Sequence, residues 1–127
     1  MKFWNMLQVC NLRILFDNNI PVPVRKSLPQ HEVLTMIEMN WPPHLENGEL
    51  LKAAEEAGFE LLITADQNIR YQQNLTGRSL SLVVLGSNIW PIVRSHLTAI
   101  SDAVARINPG SYEFIEMVVP PKNRNRR

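Results

Sequence analysis

The stretch Gly58-Phe59-Glu60-Leu61-Leu62-Ile63-Thr64-Ala65-Asp66-Gln67-Asn68 decides the fold class. A glycine closes the helical pattern that precedes it. Leu61-Leu62-Ile63 form a continuous apolar run, which suits a strand covered on both faces. The run ends in Thr64-Ala65-Asp66. In an open α/β sheet, ligands sit outside the carboxyl ends of the strands, so Asp66 is a candidate functional group. The plainer alternative is a loop aspartate bonding its own backbone.

Arg13-Ile14-Leu15-Phe16-Asp17-Asn18-Asn19 repeats the pattern of an apolar run ending in an aspartate. Neighbouring strands lie about 4.8 Å apart. If these two runs are neighbours, Asp17 and Asp66 share one rim. Two carboxylates at ~4 Å repel by about 4 kcal/mol at an effective dielectric of 20. A cation, a proton or separation into solvent must offset that repulsion.

Between and beyond these runs, strand-like and helix-like segments alternate. Val24, Leu28 and the pair Arg25-Lys26 predict a short amphipathic helix between Pro21 and Pro29. His31 to Met36 reads as a second strand. Asn40-Trp41-Pro42-Pro43-His44 is a loop, because two prolines exclude a regular element. Leu50, Leu51, Ala54 and Ala57 form the apolar stripe of a helix that starts near Glu46 and stops at Gly58. Ile69 to Leu75 reads as a short helix or turn, and Ser79 to Leu85 as the fourth strand. Val93, Leu97, Ile100, Val104 and Ile107 keep a helical period through one long segment that opens near Pro91. Tyr112 to Val119 is a fifth strand at a sheet edge. The whole predicts a single-domain, three-layer α/β/α fold with a mainly parallel sheet in the order 2-1-3-4-5. An N-terminal extension (1–11) precedes the domain (12–119), and a basic tail (120–127) follows it. The order 2-1-3-4-5 puts its switch point between the two strands that end in Asp17 and Asp66.

The chain has 127 residues, enough for one domain with a substantial core. Hydrophobic residues make up 45% and charged residues 20%, ordinary values for a soluble globular protein. The net charge of +1 excludes a polycation, but Lys122, Arg124, Arg126 and Arg127 crowd the C-terminus, leaving the body mildly acidic. That tail suits nonspecific phosphate contacts or a solubilising end. No run of 18 apolar residues predicts a membrane span. Cys10 is the only cysteine, so no intrachain disulfide forms, which fits a reducing cytoplasm.

Glu49 is the third acidic candidate, in the first turn of the second helix. A purely structural role, facing the positive end of the helix macrodipole, competes with a functional one. Glu46, a turn earlier, is the weaker substitute. Three carboxylates on one rim point to a hard divalent cation such as Mg2+ or Mn2+. His31, His44 and His96 with one cysteine do not make a tetrahedral zinc set, and each histidine reads as a surface or packing residue. The five glycines are isolated, and no phosphate-cradling loop occurs.

Three segments carry a resemblance: Ile14-Leu15-Phe16-Asp17-Asn18-Asn19-Ile20-Pro21, Leu45-Glu46-Asn47-Gly48-Glu49-Leu50-Leu51 and Leu62-Ile63-Thr64-Ala65-Asp66-Gln67-Asn68. Together they resemble the bacterial PIN-like proteins, over about Leu12 to Met117. The resemblance implies a Mg2+- or Mn2+-dependent ribonuclease, often the toxin of a toxin–antitoxin pair. Asp17, Glu49 and Asp66 carry over as metal ligands and catalytic residues. Thr64 shapes the site. Where many such nucleases hold a fourth acid this chain has Asn68 and Asn88, and the family's usual acid near the start of the second helix falls at Asn47. Asn68, Asn88, Gln72 and Gln73 are the candidate RNA contacts. RNA, an antitoxin protein and a second copy of the chain are the expected partners, with no membrane.

Two other classes remain open. A PIN-like fold without turnover would serve as a binding module. A signalling receiver shares the strand order and places its phosphoacceptor where Asp66 sits. It also requires adjacent acids after strand 1 and a lysine after strand 5, whereas Asn18-Asn19 follow Asp17 and Lys122 comes late.

Overall fold

The computed structural model describes residues 11–45, 47–69 and 79–118. Five strands form one sheet: β1 (Arg13–Phe16), β2 (Glu32–Thr35), β3 (Leu61–Thr64), β4 (Ser81–Leu85) and β5 (Tyr112–Ile115). Their order is β2-β1-β3-β4-β5, and every pair is parallel. The expected order is therefore present, and the sheet is wholly rather than mainly parallel.

The apolar runs that define β1, β3 and β4 are buried on both faces, and alternation splits them between two cores. On one face, Leu15, Leu62, Leu82 and Val84 meet Leu50, Leu51 and Ala54 of helix α1 (Asn47–Glu56). On the other, Ile14, Phe16, Ile63, Val83 and Leu85 pack with Val24 of a 3-10 helix (Val22–Ser27). The same core takes in Val93 of α2 (Trp90–Arg94) and Ile100, Ala103 and Val104 of α3 (Leu97–Arg106). These layers sandwich the sheet.

Strands β2, β4 and β5 are shorter than expected, β5 ending at Ile115, and two elements differ in kind from the sequence expectation. The segment after Asp17 is a 3-10 helix, because Pro21 and Pro23 bracket its start and leave too few amide donors for α-helical bonding. The long helix expected from Pro91 onward is two helices. At the break, Ser95 Oγ donates to Ile92 O at 2.8 Å, and His96 Nδ1 lies 2.9 Å from the same carbonyl. His96 N bonds Val93 O, a tighter i−3 contact. Side-chain competition for helix carbonyls ends α2 there. The apolar period survives the break, since Val93, Ile100 and Val104 are all buried.

A candidate acidic cleft at the sheet switch point

β1 and β3 are adjacent, with Phe16 opposite Ile63. The ladder runs one bond past the strand end, from Asp17 N to Ile63 O at 2.9 Å. This fixes the Asp17 backbone beside Thr64. The Thr64 side chain is fully buried, and its hydroxyl must therefore find partners. It donates to Asp17 Oδ2 at 2.7 Å and accepts from Asp66 N at 3.0 Å. One hydroxyl thus ties the carboxylate of β1 to the backbone of the aspartate that follows β3.

Neighbouring loop groups complete the frame. Asn18 N donates to Asp17 Oδ1 at 2.7 Å, and Asn68 N to Asp66 Oδ1 at 3.1 Å. Asn19 Oδ1 accepts from Ala65 N at 3.1 Å, joining the β1 exit loop to the β3 exit loop. Asn18 Nδ2 donates to Pro43 O at 2.9 Å, which draws in the loop after β2. The result is an open cleft of about 380 Å³ lined by Asp17, Asn18, Asn19, Pro43, His44, Leu45 and Asp66. Both aspartates line it, and no arginine or lysine among the described residues does.

The other expected site residues fall in different places. Glu49 is exposed in the first turn of α1 and is not among the cleft-lining residues. Asn68 is exposed beside Asp66, and Asn88 is exposed in the loop after β4. Gln67 Nε2 donates to Gly86 O at 3.1 Å, linking that loop to the β3 exit. Gln72, Gln73, Glu46 and the basic tail lie outside the described residues. No group of three or more histidine, cysteine, aspartate or glutamate side chains placed to hold a metal ion occurs among the described residues. The donor chemistry nevertheless fits Mg2+ or Mn2+, which need one or two carboxylates when water and substrate phosphate oxygens fill the remaining positions.

Asn18, Asn19 and His44 line the cleft beyond the residues that the sequence singles out. The Asn-Asn pair directly after Asp17 was the available signal, since short amides bond neighbouring loop backbone. His44 carried none, because it enters the cleft only through the Asn18–Pro43 bond across 25 residues.

No protein-family model matches the chain, and no curated protein and no solved structure matches it significantly. No described helix is long and apolar enough to cross a membrane.

Proposed function

We propose that the chain is a PIN-like ribonuclease dependent on Mg2+ or Mn2+, and that Asp17 and Asp66 hold the cation. The observation that carries this reading is the buried Thr64 hydroxyl, which bonds the Asp17 carboxylate and the Asp66 backbone at once. A fully buried hydroxyl that holds one carboxylate and the backbone of the second aspartate suits a site that must keep its charges in register. The resemblance of the three quoted segments to PIN-like proteins supplies the reaction class. A place in a toxin–antitoxin pair belongs to the same proposal.

The bound cation would activate water and stabilise the leaving oxygen of a phosphodiester. The chain's own residues do the rest. Asp17 and Asp66 supply hard anionic oxygens. Thr64, Asn18 and Asn68 fix those carboxylates by hydrogen bonds. Asn19 holds the two exit loops together. His44 offers a nitrogen donor on the cleft wall for a phosphate oxygen. Glu49 acts on α1 through the helix dipole, and Glu49→Gln should leave cation binding essentially unchanged.

The test is cleavage of a mixed-sequence single-stranded RNA by purified protein with Mg2+ or Mn2+, and with EDTA as control. Asp17→Asn and Asp66→Asn keep side-chain size and remove the charge, so each should abolish metal-dependent cleavage while the fold persists. Cleavage that survives undiminished in both variants would exclude this cleft as the site. If the wild type binds the cation and RNA without turnover, the binding-module reading takes its place.

A further inference from the structure

A second hollow lies at the end of the sheet opposite the acidic cleft. All strands are parallel, so they start at one end, and the cleft lies where they stop. Residues at the starts of β1, β3, β4 and β5 enclose a pocket of about 320 Å³. Leu12, Phe59, Ile107 and Pro109 give it apolar walls, and Glu60 and three short polar residues join them. Organic ligand sites span ~300–1,000 Å³ and share that mix of apolar wall and few polar groups, so this one suits a small ligand.

The fold holds the walls in place. Ser81 is buried, and its Oγ donates to Asn108 O at 2.6 Å and accepts from Ser111 N at 3.2 Å. Gly110 N donates to Ser79 O at 3.1 Å. These bonds clamp the turn between α3 and β5 onto the start of β4. Phe59 is buried, with the Trp41 ring edge-on at 6.2 Å and the Arg13 guanidinium 4.5 Å over its ring.

Glu60 is the one charged residue among the described residues lining the pocket. Its Oε1 accepts from Arg13 N at 2.8 Å, which sets the carboxylate beside the Leu12 wall. No ion pair joins Glu60 to a described lysine, arginine or histidine. The neighbouring Arg13 guanidinium is spent on Glu32 at 3.0 Å and on Ala57 O at 3.3 Å. Ser79 and Asn108 are exposed, and their side chains form no hydrogen bond with a described residue.

We infer that this pocket binds a small organic cation, a compact apolar body carrying one protonated amine. The walls take the body, the Glu60 carboxylate takes the ammonium, and Ser79 and Asn108 offer further acceptors. An anion of the same shape meets the Glu60 charge and is refused. The site is separate from the acidic cleft and stands independently of the ribonuclease reading.

The test is an NMR titration of the isotope-labelled full chain without added metal. Phenethylamine, phenethyl alcohol and phenylacetate are probes of similar shape and different charge. Phenethylamine should bind saturably at millimolar concentration and shift the amides of Glu60, Ser79 and Asn108. Phenethyl alcohol should bind several-fold more weakly, and phenylacetate not at all. Glu60→Gln keeps an acceptor for Arg13 N and removes the charge. It should weaken phenethylamine roughly tenfold and leave phenethyl alcohol as it was. Circular dichroism checks that the variant is folded, and if it is not, the ranking of the three probes on wild type decides. No saturable binding of phenethylamine by wild type overturns the inference. So does a folded Glu60→Gln that binds the amine undiminished, or an amine bound no tighter than phenylacetate or phenethyl alcohol. Shifts centred on Asp17 and Asp66 would place the amine in the acidic cleft and overturn it as well.

Discussion

The Thr64 hydroxyl wires the two aspartates of the candidate site together. It is buried and serves Asp17 Oδ2 and Asp66 N at once. Thr64→Val keeps the shape and deletes both bonds, leaving a backbone donor and a carboxylate without that partner. Such losses cost about 1–3 kcal/mol each when the group is buried. Both ends here are part-buried, so urea denaturation should show a loss of about 2 kcal/mol, with weakened cation binding. Thr64→Ser should retain most of both. At this scale the sequence showed the aspartates and the threonine but not their wiring, because a hydroxyl's partners depend on strand adjacency 47 residues apart. His31 is a packing residue. Its Nδ1 accepts from Leu12 N at 3.0 Å at the head of β1, a bond only the ring with an unprotonated Nδ1 can make. Burial lowers its pKa below the ordinary 6.5, while the charge of Glu60 opposes the shift. The unfolded chain therefore takes up the proton first. The contribution of His31 is complete above pH 6.5 and is lost as pH falls through the lowered value. Replacing it by Asn should flatten that limb of a stability–pH curve. Glu38 gives a separate limb. The Thr35 N–H and then the Arg25 guanidinium hold its pKa below 4.5, so its stabilisation is lost only as pH falls below that value.

Two glycines show how elements are joined on the way to the cleft. Gly58 ends α1 at φ +85°, with open space where a Cβ would sit. Gly58→Ala should cost only the left-handed backbone penalty, about 1–2 kcal/mol. Gly86 is different. A Cβ there would lie 2.9 Å from Met117 N and 3.1 Å from Ile115 O, both backbone atoms that cannot swing aside. Gly86→Ala should therefore push β5 off β4 and loosen the Gly86 O bond to Gln67, with a larger loss of thermal midpoint than Gly58→Ala. Element identity was legible where an apolar run or stripe belonged to a single element. Leu61-Leu62-Ile63 and Leu82-Val83-Val84-Leu85 are strands as read, and the Leu50, Leu51, Ala54 stripe faces the core. The break at Ser95-His96 was not legible, because the apolar steps of 4 and 3 continue through it. The turn shows in the side-chain bonds to Ile92 O and the backbone bond from His96 N to Val93 O.

For the whole molecule, the parallel order β2-β1-β3-β4-β5 converts two distant aspartates into neighbours at the switch point. That arrangement was readable because each helix-length insert between apolar runs forces a crossover, and crossovers are right-handed. The place of Glu49 was not readable, since a first-turn acid answers to the helix dipole as well as to a metal. A cation held by the native cleft and not by the unfolded chain should stabilise the fold by mass action, about 2.7 kcal/mol at one hundred times its dissociation constant. The most direct measurement is calorimetric titration of the metal-free chain with Mn2+, in the wild type, Asp17→Asn and Thr64→Val. The account predicts saturable binding to the wild type, loss of that binding in Asp17→Asn, and weakened binding in Thr64→Val. Equal Mn2+ binding by wild type and Asp17→Asn, or none by the wild type, would contradict it.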